Sequence, residues 1–300
     1  MNAVAKIAVL HHTPRPTWSS RQLLKAIADT GSTPLYILWN YISAELGTPS
    51  CPLKYRGRCL NVDAIIVRGL GRGLSIERYA VRRAILEAAE SWGYVVVNPP
   101  EGLFRARDKF TSLRILQEAG IPVPRTLVTE DPTTALHAVE QLGDVVFKPI
   151  IGSLGLGSFR VKDTDTAYHI INLLLTLNQP LYIQKYLEKP GNRDLRVFVV
   201  GDHVVAAMYR IAPRNSWKTN IAQGAKPVPA TVRDEVAKAV IRAVKVLGLV
   251  YAGVDVIEYD ENRYAVIEVN ASPLWRGLQS ATGVNPARYI VEKVLELVKK

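Results

Sequence analysis

The most constraining feature of this sequence is a change of texture near residue 120. Before it, apolar runs of strand length alternate with helical periodicity. Residues 4–10 (VAKIAVL), PLYILW, 62–69 (VDAIIVRG) and YVVVN read as strands. TWSSRQLLKAIADTG, with a serine start and Gly31 as its stop, and residues 75–92, ended by Gly93, read as helices. Such alternation predicts a parallel sheet covered on both faces, so residues 1–100 read as a small doubly wound α/β domain.

RARDKFTSLRILQEAG then predicts one helix with Asp108 in its first turn. Beyond it, VVFKPI, SFRVKD, LYIQKYL, LRVFVVGDHVVAAMYRI and GVDVIEYDENRYAVIEVN are strand-like and follow one another closely. VVGDHVV and VIEYDENRYAVIEV read as hairpins, with helices at 133–142, 164–177, 231–247 and 285–299. This part is α+β with antiparallel sheets.

The chain has 300 residues, 48% hydrophobic and 22% charged, which suits two or three domains with buried cores rather than disorder. No apolar run reaches the ~20 residues of a membrane span. MNAVAKIAVLHH reads as a first buried strand and not as a secretory signal, so a cytoplasmic protein is expected. Cys51 and Cys59 lie in the loop CPLKYRGRC. Two unpaired loop thiols are the reading preferred for them, a disulfide the alternative. The net charge of +11 fits an anionic partner. No basic run interleaved with aromatics occurs, which ranks nucleic acid below acidic small molecules and peptides.

In FKPIIGSLGLGSFRV, Lys148 precedes a loop with Gly152, Gly155 and Gly157. The spacing is neither that of a dinucleotide fingerprint nor that of a Walker A loop, both of which open a helix. A glycine turn between antiparallel strands suits either a plain hairpin or a flap whose N–H groups cover phosphates. Near the C-terminus, Asp255 stands on one strand of a hairpin, and Glu268 and Asn270 stand two apart on the other, hence on one face. Their oxygens suit Mg²⁺, which takes few protein ligands and fills its shell with phosphate and water. Solvent-facing polar residues of an amphipathic sheet would give the same pattern.

Five ordered stretches carry a resemblance: NPPEGLFRARDKFTSLRILQEAGIPVPRT, VVFKPIIGSLGLGSFRV, YIQKYLEKPGNRDLRVFVVGDHVVAAMYR, WKTNIAQGAK and AGVDVIEYDENRYAVIEVNASP. Over residues 98–300 the chain resembles the RimK-like carboxylate–amine ligases of the ATP-grasp superfamily, related to LysX-type ligases. The resemblance implies an α/β pre-ATP-grasp domain (1–100) and an ATP-grasp fold in two subdomains with antiparallel sheets. These are a central one with the phosphate flap (101–184) and a C-terminal one with the metal site (185–300).

It also implies roles. Lys109 and Lys148 reach nucleotide phosphates, and residues 152–157, with Ser153 and Leu154 among the glycines, form the flap. The backbone of Gln184, Lys185, Tyr186 and Leu187 reads the adenine edge. Asp194 is the ribose-side acid, and Lys218, Thr219 and Asn220 are a further nucleotide contact. Arg210 faces the transferred phosphate, with Arg196 as a second catalytic candidate or a structural ion pair. Asp255, Glu268 and Asn270 hold Mg²⁺, or Mn²⁺ in its place. Lys185 stands where relatives commonly have Glu, Lys218 where they have Arg, and Leu274-Trp275-Arg276 where many have Gly.

The implied reaction is ATP-dependent amide formation through an acyl phosphate, adding glutamate to the carboxylate of a cofactor, peptide or protein. Alternatives are a LysX-like ligase acting on an acidic carrier protein, and a nucleotide-dependent regulatory protein without ligase activity. Arg276 and Ser272 are candidates for holding the amino acid, and Arg68 and Arg72, after the third strand, for reaching the acceptor. His11 and His12 share that sheet edge in a structural role. Homo-oligomers are common among such relatives.

Overall fold

The structure, a computed structural model, describes residues 4–47, 50–71, 73–152, 155–260 and 263–299. Its first part builds β1 (Lys6–His11), α1 (Trp18–Asp29), β2 (Thr33–Leu38), β3 (Ile42–Ala44), β4 (Leu53–Tyr55), β5 (Arg58–Cys59), β6 (Ala64–Val67), α2 (Ile76–Ser91) and β7 (Val95–Val97). The sheet β2-β1-β6-β7 is parallel throughout. β6 is buried along its whole length because helices cover both faces. Thr17 and Ser75 start the helices α1 and α2 by accepting from the N–H groups of Ser20 and Arg78.

Between β2 and β6 lies a small antiparallel sheet, β3-β4-β5, that the apolar pattern did not announce. Here Cys51 and Cys59 are bonded to each other, in place of the two unpaired thiols that loop composition suggests. The cause is the hairpin: β5 folds back on β4 with Cys59 opposite Lys54, leaving the two cysteine Cα atoms 5.4 Å apart.

The helix predicted over 105–120 is two helices, α3 (Pro100–Arg107) and α4 (Lys109–Glu118). Asp108 ends the first and caps the second, its carboxylate accepting from the N–H groups of Phe110 and Thr111. A short acidic side chain competes for backbone donors, so it divides what periodicity alone joins. α3 and α4 pack against the C-terminal sheet. A Cβ on Gly102 would lie 2.5 Å from the Gly248 carbonyl oxygen, so only glycine permits this approach.

Next come β8 (Thr126–Thr129), α5 (Pro132–Leu142), β9 (Val145–Phe147), β10 (Phe159–Val161), α6 (Thr164–Thr176) and β11 (Leu181–Lys185). They form the antiparallel sheet β10-β9-β11-β8 with a core of its own around Val139, Phe147, Ile171 and Ile183. The last part holds β12 (Arg193–Val200), β13 (His203–Ile211), β14 (Lys226–Pro229), α7 (Asp234–Val246), β15 (Tyr251–Tyr259), β16 (Arg263–Asn270), α8 (Arg276–Thr282) and α9 (Pro286–Val298). Its sheet, β14-β13-β12-β15-β16, is antiparallel. One face shares a core with the first sheet, joining Leu10 and Val67 to Val197 and Val254.

Asn98 fastens these two sheets. Its amide nitrogen donates to the carbonyls of Tyr251 (2.9 Å) and Ala271 (2.7 Å), and its oxygen accepts from the N–H groups of Val250 (2.8 Å) and Tyr251 (3.0 Å). Every donor and acceptor of a fully buried amide is thus satisfied. Among the described residues, no helix is long and apolar enough to cross a membrane.

Candidate active site

A cleft of about 590 Å³, partly open to solvent, lies between the β8–β11 unit and the C-terminal sheet. On one side stand Lys109, Lys148, Gly152 and Gly155; on the other stand Asp194, Arg210, Lys218, Thr219, Asn220, Asp255 and Glu268. Residues from Lys109 to Glu268 therefore meet in one place, through five different elements and two loops.

Lys109 is the first residue of α4, aimed by the Asp108 cap. Its Nζ donates to the Gly152 carbonyl at 3.0 Å and lies 3.8 Å from Glu268 Oε1. Lys148 follows β9 and donates to Gln184 Oε1 at 2.6 Å. Burial pushes its ammonium down to about 8, against the pull of Glu268 and with help from Lys109 and Lys189. Lys218 donates to the Gly155 carbonyl at 3.1 Å. Two of the three lysines thus rest on backbone carbonyls of the glycine loop.

That loop joins β9 and β10, which pair antiparallel with Phe147 opposite Phe159. Gly155 and Gly157 have φ of +68° and +71°. A Cβ on Gly155 would overlap Asn220 Oδ1, so the loop sits against the opposite wall of the cleft. Ser153 and Leu154 lie outside the described residues, as does Arg72.

At the end of β11, the N–H groups of Lys185 and Tyr186 are spent on the carbonyls of Arg125 and Asp144, both at 2.9 Å. The Lys185 ammonium turns away to the Leu142 carbonyl, at the end of α5. Gln184 is buried and Leu187 half-buried. The Arg160 guanidinium lies 3.5 Å over the Tyr186 ring, which meets Trp217 edge-on.

The far wall is a chain of charges. Arg210 grips Asp194 with Nε and Nη2 at 2.8 and 2.7 Å, and its Nη2 lies 3.1 Å from Asp255. Arg196 grips the same Asp255 with Nε and, at 2.8 Å, Nη2. Thr219 donates its hydroxyl to Asp194. Register produces this: Asp194 faces Arg210 across β12–β13, and Arg196 faces Asp255 across β12–β15. Burial alone would raise the Asp255 carboxyl, but Arg196 and Arg210 outweigh it and hold it below the usual carboxylate range. Asp194 and Asp255 likewise overcome burial to hold the Arg210 proton more tightly than usual.

Glu268 is the direct cross-strand partner of Asp255, and Asn270 that of Gly253. A bulge at Ile267 follows this pair and re-aims the strand. Among the described residues, no group of three or more His, Cys, Asp or Glu is placed to hold a metal. Asp255 and Glu268 supply two carboxylates, and Asn270 an amide oxygen on the same face.

The remaining candidates sit in the seam between the first and last sheets. Arg68 is buried, donating to the Tyr251 hydroxyl (3.1 Å) and the Pro273 carbonyl (2.7 Å), with its guanidinium 4.7 Å over the Trp275 ring. Ser272 donates to the Val67 carbonyl at 3.1 Å. Trp275 is fully buried in the core, while Leu274 and Arg276 are exposed. Burial, with His12 and Arg68 nearby, pushes His11 down to about 4, so it stays neutral.

Lys189 and Trp217 also line the cleft, and sequence reasoning missed both. Lys189 donates to the Trp217 carbonyl (3.0 Å) and the Thr219 hydroxyl (3.3 Å), bracing the triplet 217–219. A lysine four residues past β11 and a tryptophan just before Lys218 were the available signals.

Among solved structures, the fold is similar to ATP-grasp ligase PsnB in a complex with a phosphomimetic precursor variant, Mg and ADP (TM-score 0.80, 22% identity, 99% of this chain and 100% of that one). It is also similar to the RimK domain ATP-grasp protein of Sphaerobacter thermophilus (TM-score 0.74, 24% identity, 97% and 100% covered). The fold is that of the ATP-grasp ligases. Residues 106–294 match the RimK-like ATP-grasp domain. The chain is 33% identical to the tetrahydromethanopterin:α-L-glutamate ligase of Methanosarcina acetivorans, over 92% of this chain and 94% of that one. It is 40% identical to the ligase of the same name from Methanocaldococcus jannaschii, over 82% and 84%. It is 32% identical to a probable α-L-glutamate ligase of Pseudomonas fluorescens, over 96% and 95%. The chain belongs to the RimK-like ATP-grasp family and is an ATP-dependent ligase.

Proposed function

We propose that this protein joins the amine of L-glutamate to a carboxylate of a small-molecule or peptide acceptor, using ATP, in the cleft between the β8–β11 unit and the C-terminal sheet. The observation that carries the proposal is the convergence of Lys109, Lys148, Lys218 and Arg210 on a cleft whose wall also bears Asp255 and Glu268.

A carboxylate is a poor electrophile. Transfer of the γ-phosphoryl group to it gives ADP and an acyl phosphate. The glutamate amine then attacks the acyl carbon, phosphate leaves, and the amine loses a proton. For the first step the protein supplies position and positive charge. Lys109 and Lys218 exchange the loop carbonyls that they now hold for phosphate oxygens, and Lys148 exchanges Gln184. Losing one such cation costs about 3–4 kcal/mol of transition-state stabilisation. Arg210, fixed by Asp194 and Asp255, meets the transferred group, while Arg196 keeps Asp255 ionised and oriented. The glycine loop, resting on the opposite wall, keeps water from the acyl phosphate.

Mg²⁺ fits the all-oxygen set of Asp255, Glu268 and Asn270 and, when bound, supplies Lewis-acid neutralisation of phosphate oxygens. Adenine lies against the segment 184–187, where the Lys185 carbonyl and the Leu187 N–H are the groups assigned to its edge. Arg68 and Ser272 fix the loop 271–273 from behind, and Arg276 is the exposed guanidinium left to meet glutamate. An ATP-consuming reaction of this kind belongs in the cytoplasm.

Relatives 33–40% identical are named for tetrahydromethanopterin, which makes that compound the first acceptor to test. Incubation with ATP, Mg²⁺, glutamate and tetrahydromethanopterin should yield product heavier by one glutamyl residue, with ADP released in equal amount. ADP released with no amide formed, on this acceptor or on peptides, would count against the reading.

A further inference from the structure

The edge at which β1, β2 and β6 end carries a basic, aromatic rim that the reaction scheme leaves unused. Three successive loops contribute to it. Arg15 stands in the loop after β1, Arg56 and Arg58 on the hairpin after β2, and Arg78 in the first turn of α2. All four are exposed. Several exposed arginines on the helices are neutralised one turn away, as in Arg83–Glu87, Arg105–Glu101 and Arg114–Glu118. On this edge, among the described residues, no acidic side chain stands within ion-pair distance of Arg15, Arg56, Arg58 or Arg78.

The three loops form one surface. The Tyr36 hydroxyl donates to the Thr13 carbonyl at 2.7 Å, tying the end of β2 to the Arg15 loop. Trp39 Nε1 donates to the Gly69 carbonyl at 2.9 Å, and the Arg82 guanidinium lies 5.1 Å over the Trp39 ring, one helical turn beyond Arg78. The Arg56 N–H donates to the Tyr41 carbonyl, and its guanidinium stacks 4.3 Å over the Tyr41 ring, so its direction is set in advance. The Cys51–Cys59 bond closes the base of that hairpin. Beneath the rim, the buried Arg68 and Val67 are tied to Pro273 and Ser272, in the loop that follows the strand of Glu268.

We propose that this rim docks an anionic group of the acceptor, distant from the carboxylate that reacts, and so selects acceptors carrying phosphate or clustered carboxylates. The proposal rests on the ligase reading above and adds the class of acceptor. In a parallel sheet, ligands gather beyond the strand C-termini, and oriented guanidinium groups there recognise oxyanions in bidentate fashion. Charge on an exposed rim acts mainly on encounter and affinity, not on the chemical step.

The test is the double variant Arg56→Glu/Arg58→Glu, with Arg242→Glu on the exposed face of α7 as the control for charge alone. Two readouts are used: the KM for tetrahydromethanopterin in the glutamylation assay, and the Kd for tetraglutamate at low and high salt. The rim reading expects both constants to rise by about tenfold or more in the double variant, with loss of salt dependence and an unchanged KM for ATP. Glutamylation with an unchanged acceptor KM overturns it, as does tRNA binding that falls in the variant while the acceptor KM holds. If the wild type forms no glutamylated product yet binds tetraglutamate in a manner that the variant abolishes, the acceptor reading fails and the rim stands. Failure of the wild type to bind either probe overturns both.

Discussion

Asp255 receives two guanidinium groups, from Arg196 on one strand and Arg210 on the next but one, while facing Glu268 on its other side. The two guanidinium groups keep it charged inside the fold. Asp255→Asn should therefore do two things. Turnover should disappear, because the amide cannot serve the phosphate site. Stability should fall by about 3–5 kcal/mol, because buried guanidinium charge is left uncompensated. Urea midpoints and phosphate release measure the two separately, and near-normal turnover in a folded variant removes Asp255 from the site. Lys148 gives a pH signature. In the free protein it titrates near 8, and phosphate oxygens return it toward the ordinary lysine range. Above about pH 8, nucleotide binding should then take up a proton, and affinity should fall as pH rises. Calorimetry in buffers of different ionisation enthalpy detects that uptake; none near pH 8.5 clears Lys148 of the role. The acidic residues of the C-terminal hairpin were legible because alternation fixes which side chains share a face. Arg196 and Arg210 were named as candidates, but their pairing with Asp255 was not legible, because cross-strand register between distant strands cannot be read from periodicity.

At the scale of elements, the glycine loop was legible as a turn between two strands, and its resting place against Asn220 was not. Gly155→Ala requires a side chain at φ +68° and at a position that Asn220 already fills. The loop would be held off the wall, so the KM for ATP should rise about tenfold and ATP hydrolysis without amide formation should increase relative to product. An unaltered ratio of hydrolysis to ligation argues that the loop shields nothing. Most strands, the two hairpins and most helices followed from apolar spacing, while the edge strands β8 and β14 were not marked by it. The break at Asp108 and the sheet β3-β4-β5 did not follow from it either. The first hid because a capping aspartate reads like any polar helix residue, the second because three short strands of mixed polarity carry no alternation.

At the scale of the whole molecule, the first and last sheets share their apolar cores, while the β8–β11 unit keeps a separate one. The cleft lies between the unit with its own core and the rest. Asn98, which the sequence marked only as the residue before two prolines, supplies four hydrogen bonds across the shared seam. Asn98→Ala should cost roughly 3 kcal/mol or more, since several buried backbone groups lose their partners. Thermal unfolding reads this loss. If the melting temperature holds, the seam is carried by its apolar contacts alone. Arg68 was expected to reach the acceptor from its place after the third strand. It is buried in that seam, because a loop next to a site is also a loop that something must anchor.

Both cysteines of the chain are consumed in the single crosslink at the base of the β4–β5 hairpin. Thiol reagents should consequently find nothing to modify until a reductant is added. A cysteine introduced at Leu156, exposed on the glycine loop, would then be the sole attachment point for a spectroscopic reporter, with no background to subtract.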